Sequence, residues 1–413
     1  MNAPPPNLRD ALAAALALQP VGEPAGNASV ARGTLDGRPV RAALVENRTA
    51  SGALGVAEAE KLAALFRVAG RERSPLVLFL DSAGAKVSEG LDALGAFRHL
   101  FRAGLDAVLA GAPIAAVLGR NCFGGSSMLA HLARHRLLSP GTRLGMSGPA
   151  VIAAASGLDP LDPMLRAMAD AAMSPAARAS SNAANTVWTP GSDLAPWLRE
   201  ALAPRPDPLQ DLRERHAALL ARLASPLPAP GWENVRRKDL ERMYPEGYEA
   251  RESGGLLEGQ GRAGGSNETI LGLMADIPVG AERAWRFADF VWRLEGPARL
   301  RVLLDCASHA PRIEEERLVL SEFIVDMSAA LAAAARRGVR VRLVVTGKAG
   351  GGVYVALAAP AAHVASVHGA DIQVLPGAAV AAILGASRET LPSFDSYRAS
   401  GVADEELKLG LVP

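Results

Sequence analysis

Two glycine clusters stand where an apolar run gives way to a helical pattern. Gly124 and Gly125 follow the run Pro113 to Gly119 (PIAAVLG) and open SSMLAHLA, and Gly350, Gly351 and Gly352 follow VRVRLVVTG and open VYVALAAPA. A glycine pair at a strand-to-helix junction lets a ligand approach the backbone closely. The N–H groups of the first helical turn point outward there and carry the positive end of the helix dipole. Such a junction binds an oxyanion, and its recurrence makes Gly124, Gly125, Gly351 and Gly352 the candidate catalytic positions. Nucleotide-phosphate patterns do not fit: neither GxxxxGK followed by Ser or Thr, nor GxGxxG after a strand, stands at these loops. Lys348 precedes its glycines, so it is read as facing solvent or a ligand phosphate.

Other residue types offer less chemistry. Cys122 adjoins the first glycine pair with His131 and His135 on the next helix, but a cysteine in an apolar run is read as a packed residue rather than a nucleophile. His131 and His135 lack the glutamate of a zinc protease, Leu132 standing in its place, so no metal site is expected. Ser126 is not in a GxSxG elbow. Glu314, Glu315 and Glu316 form a charge run at a helix start, for which compensation of the helix dipole is a sufficient reason.

The elements that must position the glycines occur twice. In the first half, the strand-like run Leu76 to Leu80 leads into Asp81-Ser82-Ala83-Gly84, a helical stretch to about Ala110, the run ending at Gly119, and Asn121-Cys122-Phe123-Gly124-Gly125-Ser126. In the second half, Arg301 to Leu304 leads into Asp305-Cys306-Ala307-Ser308, one long helix from Ile313 to Arg337, the run Val339 to Gly347, and the second glycine cluster. The separations Asp81–Asp305 and Gly124–Gly351, 224 and 227 residues, differ by only three. Each half then continues with two short strands and a small-residue loop, Gly145-Met146-Ser147-Gly148-Pro149 in one and Leu375-Pro376-Gly377 in the other. Upstream, each offers a strand and a helix: VRAALVEN with GVAEAEKLAALFRVAG, and ETILGLMADI with GAERAWRFADFVWRL. Stacked β-α units follow from this order. The expected divisions are an N-terminal leader and helix (1–28), a first half (29–155), a proline-rich helical appendage and linker (156–262) and a second half (263–413).

Composition excludes several classes. With 49% apolar and 21% charged residues and a net charge of +1, the 413-residue chain is neither disordered nor a basic nucleic-acid binder. Two cysteines, Cys122 and Cys306, build neither a disulfide scaffold nor a four-cysteine zinc module. The Ala/Leu run near the N-terminus is too short to span a bilayer, and Arg9 follows three prolines with Asp10 beside it, so a cytoplasmic protein without membrane insertion is expected.

The run DSAGAKVSEGLDALGAFRHLFRAGLDAVLAGAPIAAVLGRNCFGGSSMLAHLARHRLLSPGTRLGMSGPAVI resembles the β subunit of biotin-independent malonate decarboxylase, which carries a DSGG-type loop, CFGG and an RLG-SGP-VI segment. From about Leu303 onward, LLDCASHAPRIEEERLVL, VVTGKAGGGVYVALA and ADIQVLPGAAVAAIL look like its γ subunit. Both belong to the carboxyltransferase branch of the crotonase-like superfamily, and the resemblance covers roughly residues 30–155 and 265–413. The fold it implies is α/β: two tandem crotonase-like β-β-α superhelix domains, duplicated carboxyltransferase halves, joined by the helical, proline-rich linker.

The reaction the resemblance implies is decarboxylation of a malonyl thioester, on CoA or on an acyl carrier protein with a CoA-derived arm, to the acetyl thioester through an enolate. Gly124 and Gly125 would stabilise the enolate oxygen, each well-placed donor removing about 3–4 kcal/mol of barrier. Gly351 and Gly352 would hold the departing carboxylate. Ser82, Ala83, Gly84, Cys122, Phe123, Ser126, Ser147, Gly148, Gly350 and Pro376 would line the substrate site. No covalently bound cofactor or metal is implied. The active site would lie between a β half and a γ half, within one chain or across a homodimer, and further decarboxylase subunits are implied partners. The sequence departs from the family at Asp305-Cys306-Ala307-Ser308-His309, where DTPG or DTQG is usual, at Ala349 in place of the serine of SGGG, and at Ser126-Ser127-Met128 after CFGG. Two alternatives stay open: a biotin-dependent acyl-CoA carboxyltransferase subunit, needing a biotinylated partner because no AMKM-like motif occurs here, and a non-catalytic carrier-protein-binding subunit.

Overall fold

Short turns with two left-handed residues fix the start of each sheet. In the computed structural model, Asp36 (φ +49°) and Gly37 (φ +76°) join β2 (Ala28–Leu35) to β3 (Arg38–Val45), with Leu35 paired to Arg38. Two positive φ values match the right-handed twist of flanking strands, which is why Asp-Gly and Gly-Gly favour such hairpins. The second sheet uses the same device twice, Gly254-Gly255 joining β10 (Tyr248–Ser253) to β11 (Leu256–Ala263) and Gly264-Gly265 joining β11 to β12 (Ser266–Leu273). The structure describes residues 7–159, 162–204, 207–223, 226–375 and 391–408.

The chain divides into two compact units, one of residues 1–89, 99–211 and 311–322, the other of 90–98, 212–310 and 323–413. The first holds β1 (Gln19–Pro20), β2, β3, β4 (Leu76–Ser82), β5 (Ile114–Phe123), β6 (His135–Leu138), β7 (Arg143–Gly145) and β8 (Asn185–Val187). Their order is β1-β2-β3-β4-β5-β6-β8 with β7 beside β5, antiparallel up to β3 and parallel from there. The second unit holds β9 (Glu233–Asn234), β10, β11, β12, β13 (Arg299–Cys306), β14 (Arg340–Gly350), β15 (His363–Val367), β16 (Asp371–Gln373) and β17 (Glu405–Leu407). These run β17-β15-β14-β13-β12-β11-β10-β9 with β16 beside β14, parallel from β12 onward. Strand for strand, β11 to β17 repeat β2 to β8. The fold is α/β and duplicated, as the repeated pattern predicts.

The central strands β4 and β5 are apolar and buried along most of their length, as expected of parallel strands covered on both faces. On one face, Leu8 and Leu12 of the helix Leu8–Ala15 and Leu198 of the helix Ala195–Ala201 pack on Val77, Phe79, Ala115 and Val117. In the second unit, Leu240 and Met243 of the helix Lys238–Met243 pack on Ile270, Leu303 and Val344.

Two sequence expectations change. The stretch 156–262 is not only helical: besides the helices Pro163–Met173, Pro175–Ser181, Ala195–Ala201, Pro208–Leu220 and Lys238–Met243 it supplies β8, β9, β10 and most of β11. Charged residues and glycines (EARES, EGQGRA) hide the strand alternation there. The expected single helix Ile313–Arg337 is broken into Ile313–Arg317 and Leu320–Arg336, because the buried Val319 takes φ +62°, a conformation no helix interior contains.

Candidate active site

The same irregularity precedes both glycine turns. β4 and β5 stay in register to Leu80 and Leu118, then pair again at Ser82 and Cys122, so Asp81 alone faces three residues, 119–121. In the other unit Leu304–Val345 is followed by Cys306–Ala349, and Asp305 faces 346–348. Each aspartate holds its bulge: Asp81 Oδ1 accepts the Asn121 N–H at 3.0 Å and Asp305 Oδ1 accepts the Lys348 N–H at 2.9 Å. A glycine makes room each time, since a Cβ on Gly119 would lie 2.6 Å from Asp81 Cβ and one on Gly347 would overlap the Asp305 carboxylate.

Beyond the bulge the loops converge. Leu54 N donates to Gly84 O at 2.8 Å and Ala83 N to Ser51 O at 2.9 Å, tying down the loop after β4. Gly84 (φ +105°) faces the glycine turn so closely that a Cβ would lie 2.9 Å from Phe123 O and 3.5 Å from Gly125 N. Ser126 Oγ lies 3.0 Å from Ser82 O and 2.8 Å from Phe123 O and stitches the two loops together. Gly124 sits at φ +53°, ψ −127°, and the helix Gly125–Leu132 starts after it. Gly148 meets the Phe123 ring, its absent Cβ leaving 3.5 Å. Ser82, Ala83, Gly84, Phe123, Gly124, Gly125, Ser126, Ser147 and Gly148 thus come together at the carboxyl ends of β4, β5 and β7.

Their parts differ from the expectation. The Gly124 N–H is already committed, donating to Met146 O at 3.1 Å. The backbone donor left at the turn is that of Gly125, which has no acceptor among the described residues. Ser82 and Ser126 are fully buried, and their hydroxyls bond within the loops, Ser82 Oγ accepting the Gly84 N–H at 3.1 Å. Cys122 is also fully buried, and burial pushes its thiol up to about 12, so it is a packed residue and not a substrate contact.

The second turn is built alike. Gly351 sits at φ +51°, the helix Gly351–Ala358 starts there, and Gly352 occupies the place that Gly125 has in the first unit. Gly350 corresponds to Phe123 and is a close-approach position, where a Cβ would lie 2.8 Å from both Ala307 O and Gln373 O. Val279 N donates to Ser308 O at 3.0 Å, as Leu54 N does to Gly84 O. Lys348 is exposed to solvent, as read from the sequence, and pairs with Asp276 at 2.6 Å, which lowers the Asp276 carboxyl against the opposing effect of burial. Pro376 lies outside the described residues.

One residue escaped the sequence reading. Glu316, taken with Glu314 and Glu315 as dipole compensation, is fully buried. Its Oε2 accepts the Met146 N–H at 3.0 Å and its Oε1 the Ser147 N–H at 2.6 Å. Arg178, also fully buried, donates to Leu144 O at 2.8 Å and to Glu316 O at 2.7 Å, with Nη2 3.8 Å from the carboxylate. Burial pushes the Glu316 carboxyl up to about 7, against the pull of Arg178 and the two amides. Nothing in the run EEER marks its third glutamate.

The carboxyl transferase domain family matches residues 9–174. The methylmalonyl-CoA carboxyltransferase 12S subunit of Propionibacterium freudenreichii subsp. shermanii is 31% identical over 137 residues, 33% of this chain and 26% of that protein. The acetyl-coenzyme A carboxylase carboxyl transferase subunits beta/alpha of Parafrankia sp. (strain EAN1pec) are 35% identical over 124 residues, 30% of this chain and 20% of that protein. The matches therefore span about a quarter of the length of these relatives or less. Among solved structures, a Pseudomonas malonate decarboxylase hetero-tetramer in complex with malonate aligns with TM-score 0.44 and 23% identity, over 54% of this chain and 91% of that one. Among the described residues, no helix is long and apolar enough to cross a membrane.

Proposed function

We propose that the chain acts on the carboxyl group of a malonyl-type thioester, carried on CoA or on the CoA-derived arm of an acyl carrier protein, through a thioester enolate. The observation that carries this reading is the Gly125 N–H at a helix start, without an acceptor among the described residues, near the loop Ser82–Ala85 across a glycine. Cleavage of the bond between the α-carbon and the carboxylate releases CO₂ and leaves two electrons as the enolate. The negative charge gathers on the thioester oxygen, where a preorganised amide and the positive end of a helix dipole lower its energy. A proton then enters at the α-carbon to give the acetyl thioester. The matching turn at Gly351–Gly352 offers a second anion position of the same kind, suited to a carboxylate.

Decarboxylation and carboxyl transfer share this cleavage and differ in what receives the CO₂. In the transfer reading it passes to a biotin nitrogen on a partner, whose displaced proton goes to the enolate carbon. The carboxyl transferase domain match over residues 9–174 and the carboxyltransferase subunits among the sequence relatives favour transfer, whereas the resemblance of both halves to malonate decarboxylase subunits favours release. A second copy of the chain, and further subunits of a decarboxylase, belong to the proposal as partners.

The test deletes one proton. Gly125 is the first helical residue, where proline is tolerated and lacks only the N–H. Gly125→Pro should lose roughly 10²–10³ in kcat while Gly125→Ala, which keeps the amide, stays within a few fold. CO₂ release from malonyl-CoA or malonyl-carrier protein without biotin supports decarboxylation, and acetyl thioester formed only when biotin is added supports transfer. Thioester binding with no turnover under either condition would leave a binding module.

A further inference from the structure

We propose that Glu316 is a positioning residue for the oxyanion turn: its carboxylate holds the Gly145–Gly148 loop by two backbone amides, and that loop in turn holds Gly124. The relay passes through one residue. Met146 gives its N–H to Glu316 at 3.0 Å and its carbonyl to the Gly124 N–H at 3.1 Å. Anchoring the Gly124 amide fixes the peptide that enters the turn, and with Gly124 held at φ +53°, ψ −127° it sets the base from which the Gly125 N–H projects.

Three observations separate this from an ordinary buried ion pair. The two short bonds of the Glu316 carboxylate go to loop amides, while the guanidinium of Arg178 stands at 3.8 Å and spends its Nε and Nη1 on the carbonyls of Leu144 and Glu316. Gly145 is pressed against the same carboxylate, so that a Cβ there would come within 2.7 Å of Oε2 and of Met173 Sδ. Ile313, three residues before Glu316, anchors its segment in a cluster with Phe123, Ile152 and Met173. With both oxygens engaged and no exposed surface, Glu316 does not itself touch substrate.

The charges facing the carboxylate are Arg178 from the helix Pro175–Ser181 and Glu315 from its own helix, the first favouring the ionised form and the second opposing it. A protonated carboxyl keeps only part of its acceptor capacity, so the relay is complete only when Glu316 is ionised.

The catalytic meaning of the relay rests on the function proposed above; the relay itself does not. The probes are glycines, so a chain labelled with ¹⁵N-glycine reports Gly124, Gly145 and Gly148 directly by amide hydrogen exchange. Glu316→Gln, with one acceptor oxygen in place of two, should raise Gly124 exchange at least tenfold at pH 8. Gly272 in β12 should be unchanged once exchange is corrected for the fall in urea midpoint that follows when the buried Arg178 charge loses the Glu316 carboxylate. Gly145→Ala, which pushes on the same carboxylate from the other side, should also raise Gly124 exchange, at a cost in stability read as a lower urea midpoint. In the wild type, Gly124 protection, corrected for intrinsic exchange, should rise as pH climbs through about 7, and it should stay flat in Glu316→Gln. Faster exchange at Gly145 and Gly148 with Gly124 unmoved would overturn the relay, as would uniform acceleration that includes Gly272 after the same stability correction. Turnover separates the two proposals. If a malonyl thioester is a substrate, kcat of Glu316→Gln falls at least tenfold with KM within twofold. A chain that turns over no thioester refutes the functional reading and leaves the exchange result to judge the relay.

Discussion

Gly124→Ala tests the geometry of the turn with a single methyl group. At φ +53°, ψ −127°, Gly124 lies outside even the left-handed helical region, where L residues hardly occur. The surroundings do not forbid the side chain, because the nearest atoms to a Cβ, Gly84 Cα and Met146 O, are 3.9 Å away. The cost is therefore backbone strain alone, about 1–3 kcal/mol for a residue held in such a conformation. Alanine returns about 0.4–1 kcal/mol by restricting the unfolded chain. The net expectation is a destabilisation of about 1–2 kcal/mol. Gly141→Ala is the control, since Gly141 has no positive φ and nothing within 4 Å of its Cβ position, and it should be neutral within about 0.5 kcal/mol. Urea unfolding with matched m-values gives both numbers. If the backbone instead relaxes to escape the strain, the Gly124–Met146 bond breaks and stability is partly recovered. The Gly125 amide is then misaimed, and turnover of the thioester should fall at least tenfold. An alanine variant at 124 that matches the control in midpoint and retains turnover within twofold would refute the assigned turn and the role given to its amide.

The bulge of the second unit predicts a non-additive pair. Gly347→Ala drives a methyl group into the Asp305 carboxylate and should cost about 1–3 kcal/mol. Asp305→Ala removes both the obstacle and the bond to Lys348 N, so the double variant should be at least about 1 kcal/mol more stable than the sum of the singles. The matching pair at Gly119 and Asp81 should show no such rescue, because the contact there is Asp81 Cβ at 2.6 Å, which alanine retains. His216 gives a pH signature in the second unit. Burial pulls its pKa down, but bonds to Asp289 and Asp326 outweigh that and raise it to about 9. The folded value lies above the unfolded one near 6.5, so this contribution is fully present below pH 6.5 and is lost as pH rises through about 9. Urea midpoints at pH 6.5, 8 and 9.5, followed by the fluorescence of Trp285 stacked on the imidazole, should fall more steeply in the wild type than in His216→Gln. Parallel slopes would refute the assignment.

The duplicated framework was legible because local rules write it. Apolar runs of strand length and glycine pairs at strand-to-helix junctions are constraints of backbone geometry that each segment carries for itself. The broken helix at Val319 was not legible: EEERLVLSEFI keeps a helical apolar period through the break, and periodicity reports which face is apolar rather than where the axis bends. The strands of 233–263 were hidden because their alternation is made of charges and glycines.

The sequence by itself determined that two glycine turns stand at strand-to-helix junctions, and where. Which amide remains available at the first turn was decided only by the tertiary structure. Gly124 loses its N–H to Met146 O, 22 residues further along the chain, and Met146 is held by a glutamate 170 residues beyond it. A glycine pair specifies a conformation, but whether its donors are spent or free depends on the acceptors that folding brings to it. Three consecutive glutamates read alike until packing buries the third and leaves it two amides to hold.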